Sequence, residues 1–190
     1  MCQLDMKRCK TRKGSYAVMG SIFVVIAIAI VVLLFVQAGK RERVVGKDIA
    51  MESITEFYYT YSSSTYPPDY QRYHFYVEEG TYKFYHEKRE GTDWPLTESH
   101  ITCSGSIELS AEEWTEFLNL LNGGIVKKRN QSVETGGSGP WLYLYWNGDG
   151  DKYQAFSFAT LNERNALEEF CEKLIQVAEI RKQADYLGDK

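Results

Sequence analysis

The sequence predicts an α+β protein in which an N-terminal transmembrane helix precedes a mainly antiparallel β-sheet with two helices packed on one face. Three observations lead to this fold class. Residues 16–38 form a long run without charge, aromatic and β-branched runs alternate with turn signals, and two later segments have apolar side chains at helical spacing. Short turns between consecutive strands favour antiparallel pairing, because parallel neighbours need a long crossover connection.

The uncharged run, residues 16–38, reads YAVMGSIFVVIAIAIVVLLFVQA. As a helix it would reach about 35 Å at about 1.5 Å per residue, whereas the hydrocarbon core of a bilayer is about 30 Å thick. A signal peptide cleaved after Ala38 is the alternative, although the apolar part of such a peptide usually has about 7–15 residues. We therefore expect an uncleaved anchor, with the lipid bilayer as a partner.

Charge is divided unevenly along the chain. Residues 1–15 carry five basic residues and one acidic residue, and the chain from Gly39 onward carries 17 basic and 25 acidic residues. The positive-inside bias favours a cytoplasmic amino terminus by only five to four, because four basic residues closely follow the uncharged run. We expect a single-pass protein of the cell membrane with its C-terminal domain outside the cytoplasm. The acidic balance of that domain disfavours nucleic acid as a partner.

These patterns divide the 190 residues into four regions. The last region is one domain that is long enough to bury a core without support from disulfides or a bound metal. The regions are a basic cytoplasmic tail (1–15), a transmembrane helix (16–38), a juxtamembrane linker (39–50) and an extracytoplasmic α+β domain (51–188).

The predicted strands occupy residues 53–61, 70–77, 81–88, 100–109, 125–128, 141–146 and 152–159. Two hairpin signals separate neighbours: Glu79-Gly80, and the Asn-Gly-Asp-Gly sequence that begins at Asn147. A two-residue turn at Glu79-Gly80 pairs Phe75 with Phe84 and leaves His74 and His86 on opposite faces. A three-residue loop is the alternative, and it would bring the two histidines to one face.

Two helices are predicted in the domain. The first covers residues 110–122, where Ser110 and Glu113 form a capping box and Gly123 supplies the left-handed stop. The second begins at an Asn162 cap and continues to about residue 186. Its apolar positions recur at helical spacing and predict a buried stripe. That stripe consists of Leu167, Phe170, Leu174, Val177 and Ala178.

The domain contains two cysteines, Cys103 and Cys171, and two others precede the uncharged run. An exported domain permits a disulfide, so Cys103 and Cys171 are a candidate pair. The alternative is two buried free thiols that pack as small apolar side chains.

No pattern in the sequence predicts catalysis, a metal or a cofactor. The NGDGD segment begins like a calcium-binding loop, but Lys152 and Phe158 stand where the loop needs glycine and glutamate. Histidine pairs lack a fixed third ligand for a metal. The loop around Ser138 lacks the last glycine of a nucleophile elbow, and no phosphate-binding glycine loop occurs.

Tyrosine density is the one feature that points to binding. Nine of the fourteen tyrosines lie between Tyr58 and Tyr85. An exposed aromatic sheet suits the binding of protein, peptide or carbohydrate at the cell surface. The alternative is that tyrosine is frequent here only because it favours strands. The candidate binding face comprises Tyr58, Tyr76, Tyr85, Tyr143 and Tyr145.

The segments IELSAEEWTEFLNLL and WLYLYWNGDGD, followed by a closing helix, resemble a pattern in uncharacterised single-pass membrane-anchored proteins of Gram-positive bacteria. The resemblance implies an extracytoplasmic domain and brings no catalytic residues. The expected function is a membrane-anchored extracytoplasmic interaction or sensing domain without catalytic activity. Two alternatives remain open: a cell-envelope hydrolase with a site assembled from distant residues, and a small subunit of a membrane complex.

Overall fold

The computed structural model describes residues 26–32, 42–129, 139–148 and 154–188, with side chains described as far as residue 180. Residues 42–190 form one compact unit. Residues 26–32, inside the predicted transmembrane segment, are helical and exposed. The predicted tail (1–15) and the remainder of the predicted segment 16–38 lie outside the described residues.

The predicted fold class is wrong in its membrane-spanning element. Among the ranges that the structure describes, no helix combines the length and the apolar character needed to cross a bilayer.

One antiparallel sheet organises the domain, with its strands in the spatial order β1-β6-β8-β7-β2-β3-β4-β5. The three ten-residue strands lie side by side, next to the eight-residue strand at one edge, and the four shortest strands form the other half of the sheet. The strands are β1 (Arg43–Val44), β2 (Ile54–Ser63), β3 (Asp69–Glu78), β4 (Thr81–Glu90), β5 (Ile101–Glu108), β6 (Ile125–Lys127), β7 (Trp141–Trp146) and β8 (Ala155–Ser157).

Residues 42–50 of the predicted linker, 39–50, belong to the folded domain, because the compact unit already begins at Glu42. Strand β1 pairs with β6 at one edge of the sheet. Val45 and Ile49 are each only 1% exposed and belong to the core. The charged residues around them concealed this from the sequence, since a single apolar pair in a charged segment has no recognisable period.

The β3–β4 hairpin has the predicted two-residue turn. Glu79 and Gly80 both have positive φ, 51° and 81°, as a type I′ turn requires. Phe75 pairs with Phe84, so His74 and His86 lie on opposite faces of the sheet. The alternative three-residue loop is therefore wrong.

The domain has two described α-helices, α1 (Ala111–Leu121) between β5 and β6 and α2 (Leu161–Gly188) after β8. The capping box at Ser110 is confirmed: its hydroxyl accepts the Glu113 N–H, and the Glu113 carboxylate accepts the Ser110 N–H. The predicted cap at Asn162 is wrong. Thr160 accepts the Glu163 N–H instead, and the Glu163 carboxylate accepts backbone N–H groups at the start of the helix.

Both helices pack on the same face of the sheet, where the core lies. The ring of Phe75 stacks on Phe117 of α1, with centroids 3.9 Å apart, and lies 6.3 Å from Phe170 of α2. Phe57, Phe75 and Phe84 are fully buried beneath the helices. This arrangement leaves the opposite face of the sheet for a site.

Candidate binding face

Strand register places all five predicted tyrosines on the face opposite the two helices. Tyr58 pairs with Tyr143 and with His74, and His74 pairs with Tyr85. Directly paired residues share a face, and alternate residues along a strand switch faces. We call this surface the tyrosine face. It consists of Glu56, Tyr58, Tyr70, Arg72, His74, Tyr76, Tyr85, Glu87, Arg89, Tyr143 and Tyr145, all but Glu87 partly exposed.

A stack of three rings lies at the centre of the tyrosine face. The imidazole of His74 lies between Tyr58, at 4.0 Å between centroids, and Tyr76, at 4.5 Å. The two phenol rings therefore cover both faces of the imidazole. Sequence reasoning missed His74 as part of the face, and the signal was its position opposite Tyr85 in the hairpin register.

The carboxylate of Glu56 holds this stack in place. Its Oε1 lies 2.8 Å from Nε2 of His74 and accepts a hydrogen bond from the Tyr58 hydroxyl. The hydrogen bond from His74 is the main reason that the pKa of Glu56 lies below its usual range, with burial opposing the shift. Burial, followed by the hydrogen bond to Glu56, raises the pKa of Tyr58. The stack therefore combines an ionised carboxylate with a neutral phenol at neutral pH.

A second polar cluster lies farther along the face, centred on Glu87, which is 5% exposed. Tyr85 donates its hydroxyl to Glu87 at 2.7 Å, and the Arg89 guanidinium forms an ion pair with the same carboxylate. Burial raises the pKa of Glu87, but these hydrogen bonds outweigh burial and leave it below its usual range. Burial and the bond to Glu87 raise the pKa of Tyr85 to about 12.

Cationic and aromatic groups also meet at this end of the face. The Arg89 guanidinium lies 4.4 Å from the centroid of the Tyr70 ring, and that of Arg72 lies 5.6 Å away. Arginine over an aromatic face is a favourable contact whose strength grows as water is excluded. The tyrosine face therefore offers aromatic, anionic and cationic groups side by side.

The arrangement has limited chemical capacity. Nε2 of His74 contacts the Glu56 carboxylate, which orients the imidazole. The groups stacked on the two faces of this ring are the phenol rings of Tyr58 and Tyr76. Within the described ranges, no group of three or more His, Cys, Asp or Glu residues could hold a metal ion. Ser138, and the aspartates of the NGDGD segment, lie outside the described residues.

The two domain cysteines do not form the predicted disulfide. Both are free: Cys103 is exposed on β5, and Cys171 lies on α2 with 0% exposure. Burial raises the pKa of the Cys171 thiol well above its usual value, so that group is unreactive as a nucleophile. One cysteine is therefore a core residue and the other a surface residue.

No protein-family model, curated protein or solved structure matches this chain. Relatives therefore suggest no activity or partner. The residues of the tyrosine face provide the available clues to function.

Proposed function

We propose that this chain is a non-catalytic binding domain that recognises a polypeptide partner with its tyrosine face. The observation that supports this proposal most strongly is a row of directly paired residues across four strands: Tyr143, Tyr58, His74 and Tyr85. Tyrosine gives a large contact area at a small cost in side-chain entropy. Arginine and tyrosine are also the residues enriched among those that dominate binding energy at interfaces.

A polypeptide suits this surface better than a carbohydrate. A sugar stacks on the open face of an aromatic ring, whereas both faces of the His74 ring are covered by Tyr58 and Tyr76. The hydroxyl, carboxylate and guanidinium groups of the tyrosine face instead match the amide groups and mixed side chains of a protein surface.

The proposal places this domain outside the cytoplasm. Its support is the sequence alone, in which a basic start precedes an uncharged run of the kind found in export signals. Protease treatment of intact cells that carry a C-terminal tag tests this location. We expect the tag to be lost without lysis, and protection of the tag until lysis would show that the location is wrong.

A hydrolase is the second candidate, because the Glu56–His74 hydrogen bond resembles the orienting half of a catalytic triad. An activity screen with ester, amide and glycoside substrates tests it. Hydrolysis that is lost in His74→Gln, but kept in a variant of the distant His100, would support the enzyme over the binding domain.

Selection against a displayed random-peptide library, run in parallel with a glycan array, tests the main proposal. We expect selected peptides to lose at least about 10-fold in affinity for Tyr76→Ala, which opens the central stack. The matched control is Tyr66→Ala, because Tyr66 is 83% exposed in a loop beyond β2. It should leave the affinity unchanged.

Three results contradict the proposal. Glycan binding that Tyr76→Ala abolishes would identify a carbohydrate ligand, and equal losses in both variants would show that the site lies elsewhere. Failure to select any peptide would exclude a short polypeptide epitope. Circular dichroism of each variant shows that the fold is retained.

A further inference from the structure

Strand β5 is the last strand of the sheet. It pairs with β4 on one side, and within the described ranges no strand pairs with its other side. The opposite edge strand, β1, has only two residues, whereas β5 has eight. Residues 101–107 contain no charge and no proline, and most are exposed. Natural edge strands are usually protected by charge, proline or brevity, so this edge is open to strand addition.

The hydrogen bonding of β5 shows which backbone groups point outward. The Leu109 N–H donates to the Tyr82 carbonyl at 2.9 Å, which makes Leu109 and Tyr82 a hydrogen-bonded pair. Such pairs alternate along an antiparallel ladder. Residues 103, 105 and 107 therefore direct their backbone groups at β4, and Ser104, Ser106 and Glu108 direct theirs away from the sheet.

The same three residues place their side chains on the tyrosine face. Ser106 pairs with Tyr85, and Glu108 pairs with Lys83. The short Ser106 side chain leaves room for a larger side chain on an added strand to reach over it to the Tyr85 ring. Glu108 is exposed and lies opposite Lys83, which forms its ion pair with Glu78 and interacts with Glu108 through charge alone. An added strand can place a cation on the other side of the Glu108 carboxylate.

We propose that β5 takes an extended, antiparallel segment of the polypeptide partner, which continues the sheet and enlarges the tyrosine face. The segment carries a basic residue opposite Glu108 and, two residues later, an aromatic or large apolar residue opposite Ser106. This inference rests on the proposed function, since it supplies the part of the partner that enters the sheet. Main-chain hydrogen bonds give affinity in this mode, and alternate side chains give specificity.

Charge argues for a different chain over a second copy of this one. Glu108 is the sole charged residue of β5, so a second β5 has no basic side chain to offer it. Antiparallel self-pairing would bring an uncharged residue or a second Glu108 opposite each Glu108. The cation that this position favours has to come from a partner of another sequence.

The test uses the full-length protein and the synthetic peptide acetyl-Thr-Lys-Val-Tyr-Val-Thr-Val-amide, in which Lys, Tyr and the second Thr lie opposite Glu108, Ser106 and Ser104. Calorimetry measures affinity for the parent peptide and for versions with a single N-methyl group. Methylation of Lys, Tyr or that Thr removes an N–H directed at β5 and should weaken binding at least 10-fold. Methylation of either of the first two Val residues, whose N–H groups point away, should change it less than 3-fold.

Protein variants supply the second arm. Ser106→Pro removes an outward N–H and leaves the β4 ladder intact, so it should abolish binding, whereas Ser106→Ala should preserve it. Glu108→Gln should weaken binding of the parent peptide at least 3-fold and leave binding of a Lys→Gln peptide unchanged. Because N-methylation changes only the peptide, that comparison decides the matter even if Ser106→Pro unfolds.

The outcomes separate this inference from the proposed function. Equal effects of all N-methyl groups, or no binding of the parent peptide, overturn strand addition. If peptides selected on the tyrosine face are weakened by Tyr76→Ala but not by Ser106→Pro, the binding function holds and the edge site fails. Self-association in analytical ultracentrifugation that Ser106→Pro abolishes, without peptide binding, identifies a second copy as the occupant and overturns the proposal.

Discussion

The imidazole of His74 stacks on the phenol ring of Tyr58 with a centroid separation of 4.0 Å and an angle of 10° between the planes. The two side chains come from neighbouring strands at directly paired positions. Their common hydrogen-bond partner, Glu56, fixes the rings from one side. The stability of this face, its acid response and the binding proposed for it therefore depend on the same small group of atoms.

Acid should weaken the contribution of Glu56 to stability. Its folded-state pKa lies below the ordinary value of 4.5, so this contribution is complete above that ordinary value and is lost as pH falls through the lowered pKa. We expect the difference in unfolding free energy between wild type and Glu56→Gln to shrink from about pH 6 to about pH 3. Urea denaturation at each pH measures this difference. The control is Glu52→Gln, which removes an exposed acid, and an equal pH dependence in that variant would contradict a specific role for Glu56.

The start of α2 distinguishes the structure from the sequence prediction. Thr160→Ala should cost about 1 kcal/mol of unfolding free energy, because it removes the hydroxyl that accepts the Glu163 N–H. Asn162→Ala should change it by less than about 0.5 kcal/mol, because Asn162 is an exposed helical residue. Thermal or urea unfolding measures the loss in each variant. A larger loss in Asn162→Ala than in Thr160→Ala would show that Asn162 is the cap.

Phe117 should be one of the most sensitive positions in the core. It is 0% exposed and stacks on Phe75 at 3.9 Å, which joins α1 to the centre of the sheet. Phe117→Ala should lower the unfolding free energy by about 3–5 kcal/mol, through lost burial and the cavity left behind. Val77→Ala, at a position 37% exposed, serves as the control and should cost less than about 0.5 kcal/mol.

The β3–β4 turn offers a stabilising change. Glu79 has a φ of 51°, which asparagine adopts more readily than glutamate, and Glu79→Asn should raise the unfolding free energy by about 0.5 kcal/mol. Glu79→Gln removes the same charge without this backbone benefit and is the matched control. Gly80→Ala should cost about 1–2 kcal/mol through its positive φ alone, since the added Cβ would meet no atom within 4 Å. An equal gain in Glu79→Gln would attribute the effect to charge.

The two domain cysteines should react at very different rates. Iodoacetamide should modify the exposed Cys103 readily in the native protein and Cys171 only after unfolding, because Cys171 is fully buried and its thiol pKa is raised. Peptide mapping by mass spectrometry separates them from the cysteines near the amino terminus. A disulfide-linked peptide pair containing both residues, found without reduction, would contradict the structure.

Local patterns predicted the parts of the fold that depend on local physics. The Glu79-Gly80 turn set the pairing of Phe75 with Phe84, and the Ser110 hydroxyl with the Glu113 carboxylate marked the start of α1. Alternation along the strands also named five tyrosines that share one face, although binding by that face stays a prediction. A period of two needs no knowledge of distant residues.

The remaining features depend on contacts between distant parts of the chain. The pairing of β2 with β7 joins Tyr58 to Tyr143, 85 residues later, and no local pattern specifies such a partner. The His74 stack and the burial of Val45 require the assembled sheet for the same reason. Length and hydropathy predicted a transmembrane helix, whereas the described residues contain no helix that is long and apolar enough to span a membrane.

The order of the strands has a mechanical consequence. The chain enters the sheet at β1, and β5 lies at the far edge, seven interstrand spacings away, which is roughly 33 Å at about 4.7 Å per spacing. A pull between residue 42 and a segment held at β5 would act across the strands and load every ladder in series. Ladders in series carry the same load, so the domain would yield first at those with the fewest described residue pairs, β7–β8 with one and β1–β6 with two, before its aromatic centre opens.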